Sequence, residues 1–289
     1  MITRRCTQRL FLLRPDPVTN QTFLYCLALA AQRFGIEINW VEVMSNHYHA
    51  GIHDPKGTYP EFLRYFHSLL ARGINAHRRR WENLWATEQT SVLELVDADA
   101  VFDKQIYGLT NPLKDHLVDK VHNWPGVSSL RYQLSSGSVT VQRPKQFFDP
   151  AGNLPDELTL EFVRPREFEH LSEEEWKDKL RKAIADKERE FAGQRAKKNI
   201  RLLGRKAVRR QSPFSSPKTS AKRRGLSPRV ATRNKWLRIE ALQRNKLFVA
   251  QYRDALRQLR CGEDVLFPVG TYLLRVRGLV SCEAQPPPV

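Results

Sequence analysis

The 289 residues are 41% hydrophobic and include 14 Phe, 8 Tyr and 6 Trp, enough to bury one ordinary domain with an extension or two modest ones, which excludes a chain disordered from end to end. A formal net charge of +17 and a sequence pI near 10.0 favour a polyanionic partner, because clustered Lys and Arg release condensed counterions from phosphates. Four cysteines, Cys6, Cys26, Cys261 and Cys282, stand far apart without a C-x-x-C pair, which argues against a thiolate zinc site or a disulfide framework and fits a reducing, cytoplasmic setting.

The opening MITRRCTQRLFLL is too short in its apolar stretch for a signal-peptide core, and no run approaches a membrane span, so no membrane partner is expected. Residues Thr3 to Leu13 alternate loosely and read as a strand closed by Arg14-Pro15-Asp16-Pro17. Phe23, Leu27, Ala31 and Phe34 then recur at helical spacing after Thr19-Asn20 and stop at Gly35. Ile36 to Val43 is a second strand, Met44 to Asn46 a tight connection, and His47 to Ile52 a third strand. Thr58 with Glu61 matches a capping box ahead of a helix whose apolar stripe is Phe62, Phe66, Leu69 and Leu70. Ser91 to Val96 reads as a fourth strand, and Asp97 caps a helix through Val101, Phe102, Ile106 and Leu109. That order predicts an α+β fold with a ferredoxin-like split β-α-β core: an antiparallel sheet of about four strands, helices on one face, and the other face left for a ligand.

Periodicity fades after Trp124-Pro125-Gly126 and returns at Ser172, which with Glu175 forms another capping box before Trp176, Leu180 and Ile184. The predicted organisation is therefore one domain over residues 1–135, an irregular linker over 136–171, and a basic, mainly helical DNA-binding extension over 172–289 with disordered parts, the tail Gln285 to Val289 among them. From Arg195 to Lys246 there are 18 Lys and Arg against the single acid Glu240, an excess equal to the whole chain's +17. Candidate contacts to a DNA backbone are Arg205, Lys206, Arg209, Arg210, Lys222, Arg223 and Arg224, with Trp236 to interleave, and Arg4, Arg5 and Arg9 beside the first strand. Trp81 and Trp85 could stack on bases, since stacking needs only an aromatic face, but read better as core residues.

The chemistry centres on VEVMSNHYHAGI. Strand side chains alternate, so His47 and His49 share one face and offer two imidazoles to a divalent metal, while Tyr48 points to the opposite face and packs. On the helix near residue 107, Tyr107 and Asn111 are one turn apart and look the same way. Two imidazoles and an amide oxygen would give Mg2+ or Mn2+ three ligands and leave places for phosphate oxygens, with Tyr107 as a nucleophile. Bland alternatives exist for each: ordinary strand histidines, a helix-margin tyrosine, and Asn111 as the N-cap of a helix begun by Pro112.

The segments TRRCTQRLFLLRP, MSNHYHAGI, YGLTNPLKDHLV and WPGVSS follow one another between Thr3 and Ser129. This set resembles the HUH endonucleases, and within them the single-tyrosine transposases related to those associated with repetitive extragenic palindromes. The resemblance implies a metal held by His47, His49 and Asn111, with Tyr107 as the catalytic nucleophile. It also implies cleavage of single-stranded, hairpin-marked DNA through a 5′-phosphotyrosine with a free 3′-hydroxyl, then strand transfer, and it is compatible with a homodimer. Gly108 departs from the family's large apolar residue after the tyrosine, and Lys114-Asp115-His116 stands where small residues are usual. The rivals are a non-cleaving DNA-binding regulator derived from a transposase and an RNA-binding protein with a similar sheet.

Overall fold

Four strands, β1 (Ile2–Arg5), β2 (Glu37–Val43), β3 (His47–His53) and β4 (Ser91–Val92), pair in the order β2-β3-β1-β4 with every neighbouring pair antiparallel. Helix α1 (Pro17–Phe34) follows β1, and α2 (Tyr59–Arg78) follows β3. The structure, a computed structural model, describes residues 1–219 and 228–284. The chain forms two compact units, Met1–Arg229 and Val230–Val289.

Local chemistry sets the element ends. Asp16 accepts from Thr19 N at 2.8 Å and Pro17 sits in the first turn, so α1 starts ahead of Thr19-Asn20; Gly35 closes it at φ 67. The first strand is shorter than Thr3 to Leu13 because Gln8 and Arg9 take positive φ, 49 and 58, and turn the chain. Asp54 starts α2, accepting from Thr58 N at 3.0 Å and Tyr59 N at 2.7 Å, while Thr58 Oγ1 donates instead to Phe34 O. The expected capping box at Thr58 is therefore absent, its hydroxyl being spent on the neighbouring helix.

Tyr48 and Ala50 of β3 face α1 and α2 in a core that includes Ile2, Phe23, Leu27, Phe62, Phe66 and Leu70. By alternation, His47, His49 and Gly51 face the opposite side. A register shift between Ile38 and Trp40 lets Ile38 join that core with Val41 and Val43, yet turns Trp40 to the histidine side, opposite Gly51. The strand expected over Ser91 to Val96 is split into β4 and β5 (Glu94–Leu95).

Helix α3 (Ala98–Leu109) lies against β2 and β3 and runs on into α4 (Asn111–Lys114). Its Gly108 is what permits the approach: a Cβ there would stand 2.1 Å from Trp40 Cζ3, and one on Gly51 would stand 2.1 Å from Trp40 Nε1. The indole thus has a glycine close against each end of its ring, Gly51 at the pyrrole end and Gly108 at the benzo end. This corrects the expectation of helices on one face only, since α3 covers part of the other.

Two further expectations change. After α5 (Leu130–Gln133), residues 136–171 contain an antiparallel hairpin, β6 (Ser138–Gln142) with β7 (Glu157–Glu161), rather than an irregular linker. Its Val141, Leu158 and Leu160 join the main core beside α1 because each strand is apolar at alternate positions. Helix α6 (Glu173–Lys198), with the capping box of Ser172 and Glu175, and α7 (Arg205–Arg210) belong to the first unit, so the division does not fall at 135 or 172. Trp176, Leu180 and Ile184 of α6 pack with Val101, Ile106, Leu109 and Leu113 in a second cluster that backs α3 and α4.

The second unit holds β8 (Val230–Ala231), α8 (Lys235–Arg260), β9 (Leu266–Phe267), α9 (Leu273–Val276) and β10 (Ser281–Cys282). Asn234 caps α8 by accepting from Trp236 N at 2.9 Å. The tail from Gln285 lies outside the described residues. Among those described, no helix is long and apolar enough to cross a membrane.

Candidate active site

Strand β1 supplies a partner to each histidine through its register, Arg5 opposite His47 and Thr3 opposite His49. His49 Nδ1 lies 2.8 Å from Thr3 Oγ1, and His47 Nδ1 lies 2.7 Å from Asn46 Oδ1. An Nδ1–H that donates to each oxygen leaves Nε2 as a bare lone pair. The two rings are 4.8 Å apart between centroids at 81°.

Helices α3 and α4 bring the remaining residues to the same place. The Tyr107 ring is 5.9 Å from the His49 ring at 68°, and 39% of the residue is exposed. Asn111 Nδ2 is 3.5 Å from His47 Nε2, and a half-turn of the amide puts Oδ1 there instead. Asn111 does not serve as the cap of α4. Thr110 holds that position, its hydroxyl donating to Ile106 O at 2.7 Å, so the Asn111 amide stays turned to His47.

Burial decides the protonation of the pair. Desolvation pushes His47 down to about 4, with Arg5 and Lys114 adding to it. His49 is held well below its ordinary value by desolvation first, then by His47, Lys114 and Lys104. Both rings are therefore neutral near pH 7, the form that ligates metal. Among the described residues no three His, Cys, Asp or Glu side chains are grouped to hold a metal ion, so a third protein donor would be an amide. Glu42 is directly across from His49 in register, fully buried, with neither carboxylate oxygen hydrogen-bonded. Desolvation raises its carboxyl well above the ordinary range, and Ser128 only partly offsets this.

The cationic candidates divide. Arg4 donates to Glu88 O and to Ala86 O at 3.0 Å, which ties it to the 86–88 segment. Arg5 pairs with Glu88 at 2.6 Å, and Arg9 donates to Thr219 O at 2.9 Å. Arg205, Lys206, Arg209 and Arg210 are exposed on α7. The residues before that helix are bonded to the segment after α4, Leu203 N to His116 O and Gly204 N to Leu117 O. Lys222, Arg223 and Arg224 lie outside the described residues. Trp85 is buried and donates to His67 O at 3.0 Å, as a core residue should, but Trp81, in the irregular chain after α2, is 100% exposed rather than in the core.

Sequence reasoning missed four residues that touch the site. Asn46 was adjacent in the motif and could have been found as an amide next to a histidine. Thr3 becomes a partner only through β1–β3 pairing. Lys114 Nζ donates to Tyr107 Oη at 3.3 Å and lies 4.8 Å from the ring centroid, and Lys104 Nζ lies 5.6 Å from it. Lys104, one turn before Tyr107, was the more legible of the two.

No family model, curated protein or solved structure matches the chain. The site itself brings together two neutral imidazoles, an amide, a half-exposed phenol and two ammonium groups.

Proposed function

We propose that this protein is a metal-dependent single-stranded DNA endonuclease and strand transferase, a transposase of the HUH single-tyrosine type, acting on hairpin-marked DNA in a reducing cytoplasm. The observation that carries the reading is the convergence of Tyr107, 5.9 Å from His49 between ring centroids, with His47 and the Asn111 amide beside the same imidazole pair. The strand order β2-β3-β1-β4, with a helix after β1 and another after β3, supports the ferredoxin-like split β-α-β arrangement on which such a site is built.

His47, His49 and Asn111 would hold Mg2+ or Mn2+, with Asn46 and Thr3 fixing the two rings. When bound, such a cation supplies Lewis-acid polarisation of the scissile phosphate. Tyr107 Oη attacks phosphorus and loses its proton to solvent. The P–O3′ bond breaks, and the 3′-oxygen takes a proton to leave as a hydroxyl. One phosphate ester replaces another, so the 5′-phosphotyrosine keeps the bond energy for rejoining and no nucleotide is hydrolysed. Exposed cations on α7 offer the displaced strand a backbone contact without sequence preference.

The test is incubation of end-labelled single-stranded hairpin DNA with the protein and Mn2+, followed by denaturing electrophoresis. A labelled protein adduct is expected with the wild type, and none with Tyr107→Phe, with His47→Ala/His49→Ala, or in a chelator. An adduct that survives Tyr107→Phe removes the nucleophile assignment. DNA binding at low salt with no adduct from the wild type supports instead a non-cleaving regulator.

A further inference from the structure

Two ammonium groups sit where a dication is to be bound. Lys104 Nζ and Lys114 Nζ lie 5.6 and 4.8 Å from the Tyr107 ring centroid, Lys114 donates to the phenol oxygen, and both push His49 away from its charged form. Among the described residues neither ammonium is in an ion pair, although Asp115 is next in the chain to Lys114. Arg5 adds a further cation near His47, but Glu88 neutralises it at 2.6 Å. Glu42, directly across from His49 in register, is fully buried with neither carboxylate oxygen hydrogen-bonded.

Like charges this close oppose a metal. Each unit charge several ångströms from a dication at a protein surface costs enough to weaken binding severalfold, a cost that Asp115 beside Lys114 offsets in part. A phosphodiester would: its anionic oxygens between the metal and the lysines turn two repulsions into two attractions.

Building on the proposed metal-dependent reading, we infer that Lys104 and Lys114 form a phosphate-binding pair that makes the divalent cation and the DNA phosphate bind this site cooperatively, each weakly alone and tightly together. Lys114 touches the reacting oxygen of Tyr107 and is assigned as a catalytic residue, and Lys104 supports the same phosphate from the preceding helical turn. Coupling of this kind is reciprocal, so DNA must tighten metal binding by the factor by which metal tightens DNA. It would also keep the site empty of metal until a strand arrives.

The experiment measures Mn2+ affinity by calorimetry in Tyr107→Phe protein, which leaves the strand uncut, with and without a single-stranded hairpin oligodeoxynucleotide. Mn2+ uptake by the oligonucleotide alone is subtracted. Affinity is expected to rise about tenfold or more with the oligonucleotide and to stay unchanged with its uncharged methylphosphonate analogue. Adding Lys114→Met should tighten Mn2+ binding about threefold in the absence of DNA and shrink the DNA-induced gain. Lys104→Met with Lys114→Met should abolish that gain. Equal affinities with and without DNA, or a double variant that keeps the whole gain, overturns the inference. Both lysines are at least partly exposed, so the variants should fold. A Tyr107-dependent adduct without metal–DNA coupling would leave the nuclease standing and remove the lysine pair. Coupling without an adduct would do the reverse.

Discussion

Gly108→Ala puts two physical effects of opposite sign at the residue after the nucleophile. Alanine in a helix interior is favoured over glycine by about 1 kcal/mol. Against this, the new methyl would stand 2.1 and 2.3 Å from Trp40 Cζ3 and Cη2, where carbon atoms at rest keep roughly 3.5–4.0 Å apart. Trp40 has little room to yield, being 1% exposed with Gly51 close against the pyrrole end of its ring. Helix α3 must therefore lift by roughly 1.5 Å, and α6 behind it resists. Overpacking of this kind costs about 1–3 kcal/mol, so after the helix gain the net expectation is a loss of up to about 2 kcal/mol in urea unfolding followed by circular dichroism. Because Tyr107 moves with the helix, single-turnover adduct formation should fall by about two orders of magnitude. Trp40→Phe in the same chain removes the atoms being struck, so the two substitutions together should cost less than the sum of their separate costs by about 1 kcal/mol. A Gly108→Ala protein that is more stable than the wild type, as helix preference alone demands, and that forms adduct at the normal rate refutes the packing account.

Thr3→Val keeps the shape of β1 but removes the oxygen beside His49 Nδ1, and Mn2+ binding measured by calorimetry should weaken about tenfold. An unchanged affinity would mean that Thr3 does not orient the ring. Glu42→Gln tests the buried acid. Because the folded-state value is raised, the native protein holds a proton that the unfolded chain has released, so the wild type should lose stability as pH rises above the ordinary carboxylate range toward the raised folded value. Tm of the Gln variant should fall less than that of the wild type between pH 5 and 8, and parallel curves would show that Glu42 is not held neutral.

What could be read from the chain alone was what depends on spacing along it. His47 and His49 share a face because strands alternate, Tyr107 and Asn111 share one because helices repeat, and Tyr48 packs on the far side as alternation requires. The capping box at Ser172 formed because Glu175 had no competitor for Ser172 N, whereas Thr58 lost its role to Asp54 four residues earlier. The partners of the histidines were hidden because Thr3 reaches His49 across 46 residues of chain. Trp40 was hidden too, since a single extra residue at the Ile38–Trp40 shift reverses its direction. The β6–β7 hairpin did carry a signal in ELTLE, apolar at alternate positions, but the Ser-rich stretch before it suggested a linker. Trp176, Leu180 and Ile184 announced a helix without saying that their partner is the nucleophile's helix.

The most direct measurement is the identity of the amino acid that holds the DNA. Adduct made with wild-type protein, Mn2+ and hairpin DNA would be digested with nuclease and protease and sequenced by mass spectrometry. The account expects a 5′-nucleotide phosphate on Tyr107, in the peptide that continues to Asn111. A nucleotide carried by any other residue, or none retained on the protein after cleavage, contradicts it.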